Sequence, residues 1–397
     1  MLKSIFSAYK TSFYGLSRET WILSFVILLN RCGFMAVPFM GLYITQHLNR
    51  PESDAGIVIS LFGLGSILGA SLGGKLTDVV GFRPVQILAA TFSGLFFIIF
   101  AFVDSFTWLC VLVVVISIFS EAFRPANYTA VATYAVEGTE TRSYSLNRLA
   151  TNIGFAVGAS SGGLIASFNY KLLFVVDGAI GMLAALAILL FLPKAKKIAK
   201  EQNMVTSAEV IKPWQDPVYI KFLVICTLYI TCFFLMFRVA PVFFKEEWKV
   251  DEALIGLILG VNGLIIALFE MVLISKIENK RSPKFYIILG LIISCVSFLC
   301  LMLPHSYAIA TAIFCVVMFT VGEMLTLPFF NVFIVKRSNV HNRGLYAAGY
   351  TISWSIAHVI GPTAGFYIAQ HFGYNTLWIS IAIFLICCSY LFKSIKF

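Results

Sequence analysis

The sequence predicts an all-α membrane protein whose twelve transmembrane helices form two pseudo-symmetric six-helix bundles, and three observations carry that prediction. The first is composition: 59% of the 397 residues are hydrophobic, 12% are charged and 38 are phenylalanine, which is more apolar surface than a water-soluble core needs. The second is spacing, since apolar stretches of about 20 residues, the length that crosses a bilayer, recur along the chain. The third is a similarity between its two halves.

Hydropathy and turn residues place spans near 20–47, 55–77, 84–103, 107–135, 143–167 and 171–192. A second set follows near 218–244, 252–277, 284–303, 306–335, 345–369 and 374–392. Residues 1–19 carry Lys3 and Lys10 among aromatics and lack a small-residue cleavage site, so they read as an interfacial helix on the membrane and not as a signal peptide. Pro193 to Asp216, with Lys194, Lys196, Lys197, Lys200 and Lys212, is the long polar stretch expected of a linker. The expected organisation is a first bundle over 1–192, a cytoplasmic linker over 193–216 and a second bundle over 217–397.

A formal charge of +10 raises the question of nucleic acid, but that partner requires a basic face, and here Lys and Arg lie in short clusters between apolar stretches. Alternate loops hold Lys75, Arg83, Arg142, the linker lysines, Lys276, Lys280, Arg281, Lys284, Lys336, Arg337 and Arg343, followed by Lys393 and Lys396. The opposite loops hold Arg50, Lys171, Lys245 and Lys249. The positive-inside rule therefore puts both termini and the linker in the cytoplasm, with the chain in a bacterial inner membrane. The nine cysteines show no CxxC spacing and read as small packing residues, so no metal and no cofactor are expected. The short loops supply no nucleophile, metal cluster or carboxylate pair for an enzyme. The expected partners are a small-molecule substrate, protons and the lipid bilayer, acting on a monomer.

The halves repeat each other. Matching Gly56 to Gly256 also matches Gly63 to Gly263 and Asp78 to Glu278, and Arg142 through Gly158 and Gly162 parallels Arg343 through Gly361 and Gly365. Parallel repeats of six spans place a substrate site at mid-membrane between them.

The second span and its loop read Gly73-Gly74-Lys75-Leu76-Thr77-Asp78-Val79-Val80-Gly81-Phe82-Arg83. On these residues the chain resembles the major facilitator superfamily, whose signature between helices 2 and 3 has glycine, leucine, aspartate, glycine and basic residues at this spacing; Val79 and Phe82 stand at usually basic positions. The resemblance implies a cytoplasmic gate of Gly74, Asp78, Gly81 and Arg83. A carboxylate there accepts from a neighbouring helix N-terminus or an Arg, so Asp78 is a candidate state switch, against the plainer reading of a solvated acid beside Arg83. Gly69 to Lys75 also satisfies GxxxxGK, but Leu76 replaces the hydroxyl a phosphate loop needs and no strand precedes it. Gly65, Gly69 and Gly73 are read as a helix-packing face, and so are Gly154, Gly158 and Gly162 of the fifth span. Those last, with Gly163, resemble the glycine-rich motif of facilitator antiporters, with Ala159 at its proline position.

An unpaired charge in hydrocarbon costs about 3 kcal/mol or more, so intramembrane charges need partners or water. They are Arg31, Glu121, Arg124, Arg148, Arg238, Glu270 and Glu323, with Asp177 and His358 less central. In the resembled family helices 1, 4, 7 and 10 line the central cavity, which takes in Arg31, Glu121, Arg124, Arg238 and Glu323. Glu121 and Arg124 are three apart on one helix and are expected to neutralise each other, with Arg31 approaching; the alternative is a purely structural ion network. Glu323 lies mid-span with no Arg within a helical turn, which favours its protonated form and makes it the first candidate proton carrier, ahead of Glu121 and Glu270. Arg31, Asn30, Arg124, Asn127, Arg238, Phe34, Tyr128, Phe234 and Asn331 are the candidate cavity residues.

Within the superfamily the pattern is similar to proton-coupled drug exporters and the related exporters of dipeptides. A second resemblance is to proton-coupled oligopeptide symporters, carried by Asn30-Arg31, Arg124-Pro125 and Gly322-Glu323, with Asn30 in place of an acid and Arg124 in place of lysine. These resemblances imply a secondary active transporter that exports an amphipathic drug-like molecule or short peptide by proton antiport, with a proton-coupled peptide or nutrient importer as the alternative.

Overall fold

The computed structural model describes residues 15–136, 139–193, 213–277, 280–337 and 343–395. Residues 1–14 of the interfacial helix expected over 1–19, and most of the linker, therefore lie outside the described residues; Arg18 and Glu19, expected in that interfacial helix, instead open α1. Every regular element among the described residues is helical: α1 (Arg18–Cys32), α2 (Ala36–Leu42), α3 (Glu52–Val80), α4 (Phe82–Phe100), α5 (Phe106–Tyr134), α6 (Glu140–Phe168) and α7 (Tyr170–Phe191). The second half gives α8 (Pro217–Arg238), α9 (Ala240–Glu246), α10 (Glu252–Ile277), α11 (Pro283–Cys300), α12 (Ala308–Arg337), α13 (Arg343–Phe372) and α14 (Tyr374–Lys393).

Local chemistry sets the helix starts. Ser17 accepts from Thr20 N–H at 3.1 Å ahead of α1, Asn169 accepts from Lys171 N–H at 2.8 Å ahead of α7, and Asp216 accepts from Val218 N–H at 3.1 Å ahead of α8; each satisfies a donor that the first helical turn leaves open. Pro217 and Pro283 occupy first-turn positions, where the missing N–H costs nothing.

Among the described residues eleven helical stretches are long and apolar enough to cross a membrane. The expected eleventh span, α13, is outside that set although its 30 residues make it about 45 Å long; Ser, Thr, His and Gly along it lower its hydropathy. In α3, the two faces of the helix divide by size. Leu64, Leu68 and Leu72 are 46%, 52% and 48% exposed, a stripe suited to lipid, whereas a Cβ on Gly73 would lie 2.5 Å from Ala122 Cα of α5, so only glycine permits that approach.

The helices cluster into two compact units. The first holds the described residues of Met1–Asn49, Leu61–Lys197 and Asp251–Leu268; the second holds those of Arg50–Ser60, Ile198–Val250 and Phe269–Phe397. Each unit thus takes the start of one helix from the other half of the sequence. In the first, Gly163 of α6 and Gly256 of α10 meet backbone to backbone, a Cβ on Gly163 falling 2.6 Å from Gly256 Cα. In the second, Ser60 of α3 donates to the Val359 carbonyl of α13 at 3.0 Å.

The packing inside the units repeats. In the first, α4 packs on α5 and α7 while α1 packs on α6; in the second, α11 packs on α12 and α14 while α8 packs on α13. The leading helix of each half is broken, between Cys32 and Ala36 in one and at Val239 in the other. Arg31 lies just before the first break, and Arg238 just before the second.

Candidate functional site

In the first unit the site forms around the break in the first span. Gly33 is pressed against α7, where a Cβ would fall 2.9 Å from Ile180 Cγ2 and 3.2 Å from the Asp177 carbonyl. From the other side α6 brings its glycines to the same segment: a Cβ on Gly154 would lie 2.6 Å from Arg31 Cβ, one on Gly158 2.9 Å from the Arg31 carbonyl, and one on Gly162 2.9 Å from Met35 Cβ. The glycines therefore seat the Arg31–Met35 stretch between two helices.

The Arg31 guanidinium lies over the Phe34 ring, 5.4 Å from its centroid, a cation–π contact. Its Nε is buried and has no hydrogen-bond partner among the described residues. Its electrostatic neighbours are Glu121, which attracts it, and then Arg124, which repels it. A small cavity lies alongside, lined by Asn30, Arg31, Phe34, Ser93, Ser120 and Asp177, with a free volume of about 20 Å³, room for one water-sized body.

The expected neutralisation of Glu121 by Arg124 is not what forms: no ion pair joins them among the described residues. A three-residue step leaves two side chains about 60° apart around a helix; Glu121 is half-buried while Arg124 is exposed. Two other candidate residues are engaged elsewhere. Asn127 is buried in an amide ladder across three helices, accepting from Gln86 Nε2 at 3.4 Å and donating to Asn147 Oδ1 at 3.0 Å. Tyr128 is 65% exposed, and its ring meets that of Tyr144 at 4.5 Å with the planes tilted by 33°.

In the second unit Arg238 ends α8 with only 6% exposure. A guanidinium nitrogen of Arg238 lies 3.2 Å from His358 Nε2, and the imidazole stacks on Phe234 at 4.3 Å with 5° between the planes. Because a guanidinium only donates, Nε2 is the acceptor in this contact. His358, secondary in the sequence, is thus part of the Arg238 cluster. Glu323 of α12 is 9% exposed and is an electrostatic neighbour of the buried Tyr229. Glu270 is 8% exposed; Asn331 is exposed and donates to the Leu327 carbonyl of its own helix at 3.4 Å.

The residues expected to form the gate divide. The Asp78 side chain lies outside the described residues. Gly74 has nothing within 4 Å of a notional Cβ, and Gly81 holds φ +91°, which only glycine adopts without strain. Arg83 donates from Nε to the Leu192 carbonyl at 3.0 Å and from a terminal nitrogen to the Leu189 carbonyl at 2.9 Å, closing the carboxyl end of α7.

Sequence reasoning did not find the Asp216 cluster of the second unit. Arg337 grips Asp216 with two hydrogen bonds of 2.8 and 2.9 Å, and the Tyr346 hydroxyl donates to it at 3.0 Å. Burial pushes the Asp216 carboxyl up, but the Arg337 guanidinium, the Tyr219 N–H and the Tyr346 hydroxyl outweigh it and hold the group below the usual carboxylate range. Nor did it find the tyrosine–glutamate pairs at the starts of α3 and α10; the offset that matches Gly56 to Gly256 also matches Glu52 to Glu252 and was the available signal.

The chain is 22% identical over 408 residues to a Na(+), Li(+), K(+)/H(+) antiporter of Planococcus maritimus, covering 92% of each sequence. It is 21% identical over 294 residues to the quinolone resistance protein NorA of Staphylococcus aureus, covering 74% of this chain and 75% of that protein. Its fold is similar to the crystal structure of a POT family transporter in complex with 5-aminolevulinic acid, with a TM-score of 0.80, 16% identity and 95% and 96% of the two chains covered. A family model described as the Major Facilitator Superfamily matches residues 21–362, and with the helical repeat and the charged helix breaks above, the chain belongs to that superfamily.

Proposed function

We propose that the protein is a secondary active transporter that exports a small amphipathic molecule, a drug-like compound or short peptide, by proton antiport. The observation that carries the reading is that each half sets an arginine at the break of its leading helix, Arg31 and Arg238, within an otherwise apolar span. Such charges are tolerated where water or a polar ligand reaches them. The antiporter and quinolone-resistance relatives support proton coupling and efflux.

In this reading residues 1–192 and 217–397 form two bundles that rock about a mid-membrane site, in a bacterial cytoplasmic membrane with both termini inside. Arg31, Asn30, Phe34, Arg124, Arg238 and Phe234 contact substrate as a monomeric unit, and Glu323 carries the proton with help from Glu121 and Glu270. Asp78, with Gly74, Gly81 and Arg83, gates the cytoplasmic side. Import by symport uses the same residues with the coupling reversed.

The test is uptake and efflux of a fluorescent cationic dye in proteoliposomes under an imposed pH gradient. Glu323→Gln is expected to abolish gradient-driven movement while dye exchange at equal pH persists. Undiminished gradient-driven transport in that variant overturns the assignment of Glu323, and accumulation with the sign of symport overturns export.

A further inference from the structure

Asp177 lies in the middle of α7 and is 2% exposed. Its carboxylate accepts a hydrogen bond of 2.9 Å from the Ala36 N–H, the first residue of α2 beyond the break. That is its hydrogen-bond partner among the described residues; no Lys or Arg pairs with it. The groups facing it are few. The first span brings Arg31, whose electrostatic neighbours are Glu121 and Arg124; α4 brings Ser93, Gly94 and Phe97; α5 brings Ser120, with Glu121 one residue on; α6 adds no residue to the cavity. Cys32, next to Gly33 at the break, is a half-buried thiol, and the Tyr43 ring meets Phe174 of α7, three residues before Asp177, at 4.9 Å.

The surroundings are built and rigid. A Cβ on Gly94 would fall 2.5 Å from the Gly178 carbonyl, so α4 and α7 cross backbone to backbone one residue from Asp177. Gly33 presses the first span onto the Asp177 carbonyl from the other side. Asp177 and Arg31 line one cavity, which admits one water-sized body.

We propose that Asp177 is a second proton-binding site, and that its charge state sets the geometry of the break in the first span and so the position of Arg31. A buried carboxyl without a cation favours its neutral form. When the proton leaves through the cavity to water, the carboxylate gains a charge-assisted hydrogen bond from Ala36, stronger than the bond a neutral acid accepts. Ala36 is drawn toward α7, and Arg31, on the opposite side of the three-residue break, moves with it. Protonation reverses the sequence. The link to substrate rests on the transport reading above; the proton site itself does not.

The experiment uses the purified full-length protein in lipid nanodiscs, without substrate. Infrared difference spectra between mildly acidic and mildly alkaline solution are expected to show protonated-carboxyl C=O intensity with a component that is lost in Asp177→Asn and remains in Glu323→Gln. Hydrogen exchange over residues 33–42, corrected for intrinsic chemistry, is expected to slow several-fold on deprotonation of the native protein and to lose that pH response in Asp177→Asn. An unchanged C=O band in Asp177→Asn, or an unchanged pH response of the segment, overturns the proposal. Asp177→Ser, screened for a cooperative melting transition, serves where the asparagine variant fails to fold. Failure of the antiport reading would appear in the Glu323→Gln vesicle assay and leave these signals intact.

Discussion

Tyr170, at the start of α7, donates a hydrogen bond of 2.8 Å to Glu252 Oε1 at the start of α10. The repeat supplies its counterpart: Tyr374, at the start of α14, donates to Glu52 Oε1 at 2.9 Å at the start of α3. Each pair lies inside one compact unit, and each ties the leading turn of a helix contributed by one half of the sequence to a helix of the other half.

The two pairs are not equivalent in environment. Tyr374 also lies 3.5 Å from Glu246 Oε2, and Glu246 in turn bonds the Glu52 side chain, so the hydroxyl serves a buried pair of acids. Tyr374→Phe is therefore expected to destabilise by about 1–3 kcal/mol, and Tyr170→Phe by about 1 kcal/mol. The pairs share no residue, so the double variant should be additive within about 0.5 kcal/mol. Thermal unfolding in detergent checks both the ranking and the additivity.

Arg31 gives a charge-balance prediction. It feels the attraction of Glu121 and the repulsion of Arg124, so Glu121→Gln leaves that repulsion uncompensated and is expected to lower the unfolding temperature. Adding Arg124→Gln should restore most of the lost unfolding temperature. If the double variant melts no higher than Glu121→Gln alone, the three charges do not form one electrostatic group.

Asp216 and Arg337 predict a pH dependence. The Asp216 carboxyl sits below its unfolded value of about 3.9, so its stabilisation is complete above that value and is lost as pH falls through the lower folded value. Arg337 is raised, mainly by the Asp216 hydrogen bond, and its contribution is lost only in strong alkali. Arg337→Gln should lower the unfolding temperature at neutral pH, and the gap to the native protein should narrow on acidification below the carboxylate range. A gap that stays constant with pH would show that Asp216 does not draw its stability from Arg337.

The helices were legible because hydropathy and capping residues act locally: the expected starts near residues 171, 218 and 284 fall within two residues of α7, α8 and α11. The site was less legible because its contacts are set by rotation and tilt. Glu121 and Arg124 are close in sequence, yet Arg31, about ninety residues away, is the group whose field they share. Asp177 looked peripheral because nothing in the sequence says that Gly94 and Gly178 let α4 and α7 close on each other beside it. The Asp216 cluster joins the linker's last residue to the ends of two helices, a distance no local pattern reports.

Glycines offer a test of which close approaches the fold requires. Gly154 faces Arg31 Cβ at 2.6 Å and the Leu28 carbonyl at 2.8 Å from its notional Cβ; the second contact is backbone and has no side chain to swing aside. Gly154→Ala must push α1 away from α6, an overpacking cost of about 1–3 kcal/mol, and it should also disturb the break that carries Arg31. Gly74 has open space at the same test and lies inside α3, where Ala is favoured over Gly by up to about 1 kcal/mol. Gly74→Ala is therefore expected to raise the unfolding temperature. Any loss of transport in Gly74→Ala would then report on motion at the proposed gate rather than on folding, because packing supplies no reason for it, whereas a lower unfolding temperature would mean that the space beside Gly74 is filled in the membrane.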